Sequence, residues 1–300
     1  MEQSNQNKIE SCPVCGSKEI EKKLQCRDFT VSKELFDIVS CKKCSFFFTN
    51  PQPEVSDLGR YYESDDYVSH SDTSKGIVNW LYQRVRKTTL KRKLKLVNRL
   101  SGQGKLLDIG CGTGHFLHTA KTGGWETIGI EPSESARKVA REKFGINAFE
   151  EDHLVQLQAQ SFDVITMWHV LEHVPFLNER VAELKRLLKP GGVLIVAVPN
   201  HLSHDADHYK ENWAAWDVPR HLWHFAPSDI KNLFGKQQMG VKEILPMKFD
   251  AYYVSMLSEK YKNGKTSLLA AFWRGWISNL KSGGDPPRCS SQIYIIRNND

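Results

Sequence analysis

Seven cysteines occur in this chain of 300 residues, and four of them form two Cys-x-x-Cys pairs. The first pair is Cys12 and Cys15, and the second is Cys41 and Cys44. Two thiolates at this spacing can bind one tetrahedral ion, and four sulfur ligands leave no coordination position for water. The pairs therefore predict a closed, structural Zn²⁺ site, with unmetallated or redox-active thiols as the alternative.

A glycine-rich turn follows a short apolar run in the middle of the chain. Its glycines are Gly110, Gly112 and Gly114, and Asp108 precedes them. A strand, a glycine loop and a helix in this order are typical of nucleotide binding. A dinucleotide fingerprint would have another glycine at position 115, where this chain has His115, so the pattern argues against NAD. Glycine lets the backbone approach a cofactor, and the carboxylate can receive an ammonium group.

The segment Asp-Ile-Gly-Cys-Gly-Thr-Gly at 108–114 resembles the first motif of the class I methyltransferases that use S-adenosylmethionine (SAM). The resemblance covers about residues 106–200. It implies that Glu131, at the end of the next strand, accepts the ribose hydroxyls. It also implies that Asp152 lies at the adenine edge, with Glu150 and Glu151 as the alternatives. The full set of implied cofactor-binding residues is Asp108, Gly110, Cys111, Gly112, Gly114, Glu131, Pro132, Asp152, Met167, Trp168 and His169.

The apolar pattern predicts the elements that position these residues. It predicts a long helix over 76–100, a helix over 133–144, a third strand over 146–149, a helix over 181–188 and a fifth strand over 193–200. Two more strands are expected over 241–249 and 292–297. The resemblance implies an α/β fold with a seven-stranded doubly wound Rossmann-like sheet in the order 3-2-1-4-5-7-6, its last-numbered strand antiparallel.

These patterns suggest three regions. Residues 1–50 are expected to form a zinc-ribbon module, residues 51–100 a helical connector, and residues 101–300 the SAM-dependent methyltransferase domain. The connector begins with a polar stretch that contains Tyr61, Tyr62 and Tyr67. Its long helix then carries eight basic residues between 84 and 99, which form either a solvated face or, with the ribbon, an RNA-binding arm.

Residues 201–235 are expected to form a loop over the transferred methyl group, because ligands bind beyond the carboxyl ends of the strands in open α/β sheets. Five of the eleven histidines lie between 201 and 224. We predict that His221 is a general base, that Arg220 binds an anionic group of the acceptor, and that His173 is a second candidate base. A packed loop histidine is the alternative for His221.

The sequence His169-Val-Leu-Glu172-His173 also fits the HxxEH pattern of a zinc peptidase, which on a helix would present both histidines to one catalytic ion. Its position directly after a buried strand favours the methyltransferase interpretation, so the peptidase stays a remote alternative.

Residues 250–290 form an insertion between the last two predicted strands. Aromatic residues such as Trp273 and Trp276 stand there beside lysines and arginines. A helix packed on the domain or across a dimer, a lid over the acceptor, and an amphipathic helix at a membrane surface all fit this composition.

The predicted function is methyl transfer from SAM to a small-molecule, sugar or lipid-linked acceptor, with structural Zn²⁺ in the ribbon. RNA methylation and non-catalytic SAM binding are alternatives, although a net charge of +6 falls short of typical nucleic-acid-binding domains. No apolar stretch reaches the roughly 18 residues that span a bilayer, and the first ten residues lack an apolar signal region, so we expect a cytoplasmic protein. The oligomeric state has no sequence signal.

Overall fold

The computed structural model describes residues 6–63, 77–265, 268–283 and 288–299; Tyr67, Gly76 and residues 284–287 of the insertion lie outside the described residues. The strands are β1 (Gln6–Asn7), β2 (Ile20–Arg27), β3 (Leu35–Cys41), β4 (Phe47–Thr49), β5 (Gln52–Pro53), β6 (Lys105–Ile109), β7 (Glu126–Ile130), β8 (Ala148–Phe149), β9 (Phe162–Trp168), β10 (Leu188–Pro199), β11 (Trp223–His224), β12 (Met239–Pro246) and β13 (Ser291–Asn298). The α-helices are α1 (Ile77–Leu100), α2 (His115–Thr122), α3 (Glu134–Phe144), α4 (Leu177–Leu187), α5 (His204–Tyr209), α6 (Pro227–Gly235), α7 (Asp250–Asn263) and α8 (Leu268–Lys281). None of the described helices combines the length and apolar character needed to cross a membrane.

Seven strands form the central sheet in the order β12-β13-β10-β9-β6-β7-β8. The strands from β8 to β10 pair in parallel, whereas β13 runs antiparallel to both of its neighbours. Counted along the chain, this is the order 3-2-1-4-5-7-6, so the predicted topology is confirmed. The carboxyl ends of the parallel strands therefore meet at one edge of the sheet.

The sheet is covered by helices on both faces because its inner strands are apolar on both sides. Along β10, Val193 and Ile195 face one core and Leu194 and Val196 face the other. Helices α1, α2 and α3 cover the first face, and α4 and α6 cover the second. Helix α3 begins after Ser133, whose hydroxyl accepts a hydrogen bond from Ala136 N at 3.3 Å.

Several predicted boundaries move in the structure. Helix α4 begins four residues before the predicted start, because Leu177 is buried on the same face as Val181. Strand β10 begins at Leu188, directly after α4 and five residues before the predicted start, because Leu188 already pairs with Phe162; a register shift follows between Leu188 and Val193. The third strand, β8, is shorter than predicted.

The N-terminal cysteine module shares its sheet with residues 201–235, the predicted substrate loop. Strands β2, β3 and β4 form a small antiparallel sheet, and β11 pairs with β4 through Trp223 opposite Phe48. Phe46 and Phe48 belong to the same buried cluster as residues of the central sheet. The module thus packs against the second face of the large sheet, and the boundary at residue 50 stays a prediction.

Candidate functional site

The glycine loop after β6 turns back against the end of β7. The amides of Gly110 and Cys111 donate to the carbonyl of Ile130 at 2.7 and 3.0 Å. Gly110 has φ of 71°, and a Cβ there would lie 2.3 Å from Val170 Cγ2. A Cβ on Gly112 would meet no atom within 4 Å. Packing therefore requires the first glycine, whereas Gly112 borders open space that a ligand can enter.

Glu131 lies directly beyond β7 and faces the glycine loop. Its carboxylate accepts hydrogen bonds from Gly112 N at 2.8 Å and from Ser133 N at 3.0 Å. The guanidinium of Arg137 donates to the carbonyls of Glu131 and Pro132, both at 2.7 Å. These contacts fix the predicted ribose acceptor beside the loop.

Asp108 is buried at the end of β6 and accepts a hydrogen bond from Thr166 Oγ1 at 2.5 Å. Burial raises its pKa to about 7, against the opposing effects of this bond and of the Lys93 charge. Burial likewise lowers the pKa of Lys93 to about 8, although Asp108 and Asp250 oppose the change. The Lys93 ammonium lies 4.2 Å from the centre of the Trp168 ring. A cation therefore already stacks on an aromatic ring of the predicted cofactor site.

The remaining predicted cofactor residues lie in different surroundings. Met167 packs its side chain entirely in the core, so only its backbone can contribute at the sheet edge. Cys111 is also buried and packs against Gly129, as a structural cysteine would. Asp152 is exposed on a 3₁₀ turn at Glu151–Gln156, and its proposed contact with adenine stays a prediction.

His169 follows β9 with a left-handed φ of 58°. Its Nδ1 lies 3.2 Å from Glu172 Oε1, and its Nε2 lies 4.0 Å from Asp250 Oδ2. Burial favours the neutral ring, but the carboxylates of Asp250 and Glu172 outweigh it and raise the pKa of His169. Asp250 begins α7, some 80 residues later, and no sequence spacing connects it with the post-strand motif.

A cavity of about 500 Å³ opens beside His169 at the carboxyl ends of β9 and β10. Four parts of the chain line it: the cysteine module, the strand ends, the substrate loop and α7. The lining residues are Phe29, Thr30, His169, Pro199, Ala214, Ala215, Asp217, Arg220, His221, Asp250, Tyr253, Val254, Met256, Leu257, Lys260 and Tyr261. The volume falls within the range of small-molecule sites. Sequence patterns gave no sign that Phe29 and Thr30 would reach this cavity.

His221 lines the cavity, and its orientation is fixed from behind. Its Nδ1 lies 2.8 Å from the carbonyl oxygen of Ala215. Because a carbonyl only accepts, the neutral ring carries its proton on Nδ1 and has a lone pair on Nε2. The structure thus places the predicted base at the cavity in a tautomer that can accept a proton.

His173 lies behind His221, with 4.6 Å between the ring centroids, and is absent from the cavity wall. Its Nδ1 is 3.0 Å from both the Arg220 carbonyl and the Tyr62 hydroxyl. Burial, with a smaller effect of His221, lowers the pKa of His173 to about 4. The second candidate base is therefore a neutral, hydrogen-bonded group that supports His221.

Arg220 reaches the cavity but is largely committed to partners. Its guanidinium bonds Asp217 through Nε and Nη2, Asp28 through Nη2, and the carbonyl of Tyr61 through Nη1. Two carboxylates already balance its single charge. The Arg220 guanidinium therefore has little unpaired charge with which to bind an anion of the acceptor. Its contacts instead join the substrate loop to the cysteine module.

The HxxEH hypothesis requires a helix that the structure does not have. Residues 169–173 leave β9 and form one short 3₁₀ turn, and His169 faces Asp250. Glu172, His173 and His221 do offer three ligand atoms within 4.8 Å of one another. Such a group has the donors of a metal site, but it differs from the pair of histidines that the peptidase pattern predicts.

The four paired cysteines converge as predicted. Cys12 Sγ lies 3.5 Å from Cys44 Sγ, and Cys15 Sγ lies 3.4 Å from Cys41 Sγ. Both pairs form the same turn. The Cys12 carbonyl accepts a hydrogen bond from Gly16 N, and the Cys41 carbonyl accepts one from Ser45 N, each at 2.8 Å. All four sulfurs lie within 4.8 Å of one another, close to the separation of about 3.8 Å in a tetrahedral zinc–thiolate site.

The basic residues of α1 are partly engaged within the domain. Arg92 packs over the Phe249 ring at 4.7 Å, Lys93 faces Trp168, and Arg99 bonds Glu243 at 2.8 Å. These contacts favour a helix packed on the domain over a free RNA-binding arm, and the RNA alternative stays an untested prediction.

Comparisons with known proteins agree with this geometry. A family profile described as a methyltransferase domain matches residues 81–241, just over half of the chain. The ubiquinone biosynthesis O-methyltransferase of Bordetella avium is 32% identical over 118 residues, which cover 36% of this chain and 49% of that protein. The corresponding protein of Nitrosococcus oceani is 36% identical over 115 residues, covering 34% and 47%. The chain thus spans about half the length of these curated relatives.

A solved structure extends the likeness of the fold. Phosphoethanolamine N-methyltransferase 2 from Haemonchus contortus, in complex with phosphomonomethylethanolamine and S-adenosylhomocysteine, superposes with a TM-score of 0.54 at 16% identity. The superposition covers 85% of this chain and 63% of that one. With the glycine loop, the strand-end acids and the family match taken together, this chain belongs to the class I SAM-dependent methyltransferases.

Proposed function

We propose that this protein transfers the methyl group of SAM to a hydroxyl group of a small-molecule acceptor held in the 500 Å³ cavity. The observation that carries the proposal is the position of His221, which lines the cavity and whose Nδ1 is hydrogen-bonded to the Ala215 carbonyl, so that Nε2, 3.9 Å from Asp217 Oδ2, is the proton acceptor. O-methylation in the named relatives supports the same chemistry. A hydroxyl acceptor must lose a proton as it is methylated, which is the task of a general base.

The cofactor site is assigned to the glycine loop and the strand ends. Gly112 would border the cofactor, Glu131 would bind its ribose, and Asp108 would receive its ammonium. SAM supplies a methyl group on a sulfonium centre, which a nucleophile attacks in line. The chain itself must hold the acceptor against that methyl group and exclude water, which the aromatic residues Phe29 and Tyr261 favour at the cavity wall.

His221 is proposed as the base and His169 as a polar group at the strand end. The Ala215 carbonyl keeps the lone pair of His221 on Nε2, and His169 is held between Glu172 and Asp250. His173 is a positioning residue because it lies behind His221. Arg220 is proposed to shape the loop rather than to bind the acceptor's charge.

A structural Zn²⁺ is proposed for the cysteine module. The four thiolates match its preferred donors, and their mutual distances suit a closed tetrahedral site. Metal analysis of the purified protein should find about one zinc per chain.

The proposal is tested in two stages. Calorimetric titration with SAM should show binding that Glu131→Ala abolishes. Formation of S-adenosylhomocysteine is then measured with phenols, catechols with and without a prenyl chain, and nucleotide sugars. His221→Gln should lower kcat by about 10²-fold or more while leaving SAM affinity unchanged. His173→Gln should change kcat less, and SAM binding without turnover on any acceptor would favour the non-catalytic alternative.

A further inference from the structure

Helices α7 and α8 form an antiparallel hairpin, and its two sides differ in character. The inner side of α7 lines the acceptor cavity through residues that include Val254, Leu257 and Tyr261. Helix α8 packs closely on α7, because a Cβ on Gly275 would lie only 2.7 Å from Tyr252 Cδ1. The hairpin therefore joins the wall of the cavity, on α7, to the outer face of α8.

The outer face of α8 is apolar, whereas its inner face is small and polar. Ala271, Gly275 and Ser278 are buried against the domain. The large side chains point outward: Phe272 is 57% exposed, Trp273 56%, Trp276 42% and Leu280 62%. An ordinary surface helix shows the reverse arrangement, with its apolar stripe toward the core. Phe272 stacks on the Tyr252 ring at 5.6 Å, and the remainder of the stripe stays exposed. An exposed apolar stripe of this kind marks an interaction surface.

The surroundings of this stripe are basic. Between Glu259 and Asp285 the chain has no acidic residue and five basic ones, Lys260, Lys262, Lys265, Arg274 and Lys281. Arg274, Lys281 and Lys262 lie close enough to the α5 histidines for their charges, after burial, to lower the pKa values of His204 and His208. Basic side chains thus flank the exposed aromatic residues.

We infer that the outer face of α8 docks on an anionic lipid surface and that the hairpin presents the cavity to a lipid-anchored acceptor there. Tryptophan and phenylalanine flanked by lysine and arginine match the interface between headgroups and acyl chains. A second copy of the chain is a poorer occupant, because a symmetric contact would bring Arg274 and Lys281 near the same charges of the partner. The assignment of the acceptor rests on the proposed methyl transfer, whereas the docking does not.

The docking is tested by vesicle flotation of the full-length, zinc-loaded protein. Vesicles of phosphatidylcholine alone are compared with vesicles that contain one quarter phosphatidylglycerol. The protein should bind the anionic vesicles at least about tenfold more strongly, and high salt should weaken the binding. The emission of its exposed tryptophans should shift to shorter wavelength on binding.

Two variants locate the contact. The double variant that combines Trp273→Ala and Trp276→Ala should reduce vesicle binding by about tenfold or more. Its SAM affinity and melting temperature should be unchanged. The control is Val155→Ser, which removes an apolar side chain that is 76% exposed near the β8 edge of the sheet, opposite the β12 edge that leads into α7. This variant should bind vesicles as the unmodified protein does.

The outcomes separate the two proposals. Equal binding by the tryptophan variant and the unmodified protein would overturn the docking, as would a dimer in solution that the same substitutions dissociate. If the unmodified protein does not bind SAM, the proposed methyl transfer is wrong, whereas the docking inferred from flotation is unaffected. If both the docking and the methyl transfer are correct, the protein should prefer prenylated to unprenylated acceptors only when anionic vesicles are present.

Discussion

The guanidinium of Arg220 donates from Nη2 to Asp28 Oδ1 at 3.0 Å, joining two residues that lie 192 positions apart in the chain. Both side chains are almost completely buried. Burial alone would raise the pKa of Asp28, but the charge of Arg220 and the amides of the Asp28 loop outweigh it and lower the pKa. Phe29 and Thr30 follow Asp28 directly and line the cavity, so this pair fixes one wall of the proposed acceptor site.

We predict that Arg220→Met destabilises the protein by about 3–5 kcal/mol, because it leaves the fully buried Asp28, and the partly buried Asp217, without a compensating charge. Arg220→Lys should recover only part of the loss, since three nitrogens of the guanidinium make the present bonds. Denaturant unfolding measures both values.

The matched control is Lys22→Ala, which removes an ion pair with Asp37 at 2.7 Å whose side chains are 53% and 31% exposed. An exposed pair of this kind contributes less than about 1 kcal/mol. Similar losses in Lys22→Ala and Arg220→Met would mean that the buried pair contributes no more than a surface one.

The sequence predicts the central sheet well because its signals are local. The apolar run before Gly110, the helix predicted over 133–144 and the apolar strand over 193–200 each depend on neighbouring residues. The strand order then follows from the family resemblance. Cysteine spacing likewise predicts the convergence of Cys12 and Cys44, since each knuckle is complete within a few residues.

The cavity could not be predicted because its walls depend on distant pairings. Asp28 carries no motif, and the partnership of β4 with β11 joins residues about 175 positions apart. Arg220 looks like a ligand-binding residue in the sequence, and only the structure shows two carboxylates already bound to it. Asp250 likewise reaches His169 only through the fold.

The two loop glycines should respond differently to alanine. Gly112→Ala should fold, because its Cβ enters open space and the left-handed backbone costs only about 1 kcal/mol, yet it should lose SAM binding. Gly110→Ala should lose stability as well, since its Cβ would collide with Val170. Calorimetry with SAM and thermal unfolding separate the two effects, and tight SAM binding by Gly112→Ala would place the cofactor elsewhere.

Loss of zinc should abolish acceptor methylation before it affects the cofactor. Cys41→Ser should release the metal and loosen the module that carries Phe29 and Thr30, while the glycine loop and Glu131 keep their contacts. We expect unchanged SAM affinity and a large loss of turnover, measured with metal analysis on the same sample.

Cys289→Ser provides the control for this substitution. The Cys289 thiol donates to the Ser291 carbonyl at 3.0 Å, and a hydroxyl can make the same bond. This variant should keep its zinc and its activity. Full turnover by metal-free Cys41→Ser would show that the module does not shape the cavity.

The affinity for SAM should depend on the ionisation of Asp108. Its pKa of about 7 means that the carboxyl is mostly protonated at about pH 6 and mostly ionised at about pH 7.5, so affinity should rise roughly eightfold over that range. Because the folded pKa lies above the unfolded one, this group contributes stability at low pH and loses it as the pH rises from about 4 to about 7. Bound SAM should offset that loss, so its stabilising effect on the melting temperature should grow with pH.

Calorimetry in buffers of different ionisation enthalpy should therefore detect proton release on binding near neutral pH, as the ammonium of SAM favours the ionised carboxylate. Asp108→Asn should bind SAM weakly and without this pH dependence, whereas Asp152→Asn, whose carboxylate is exposed, should keep it. An unchanged pH profile in Asp108→Asn would assign the titration to another group, such as Lys93, whose charge acts on Asp108 and whose pKa is about 8.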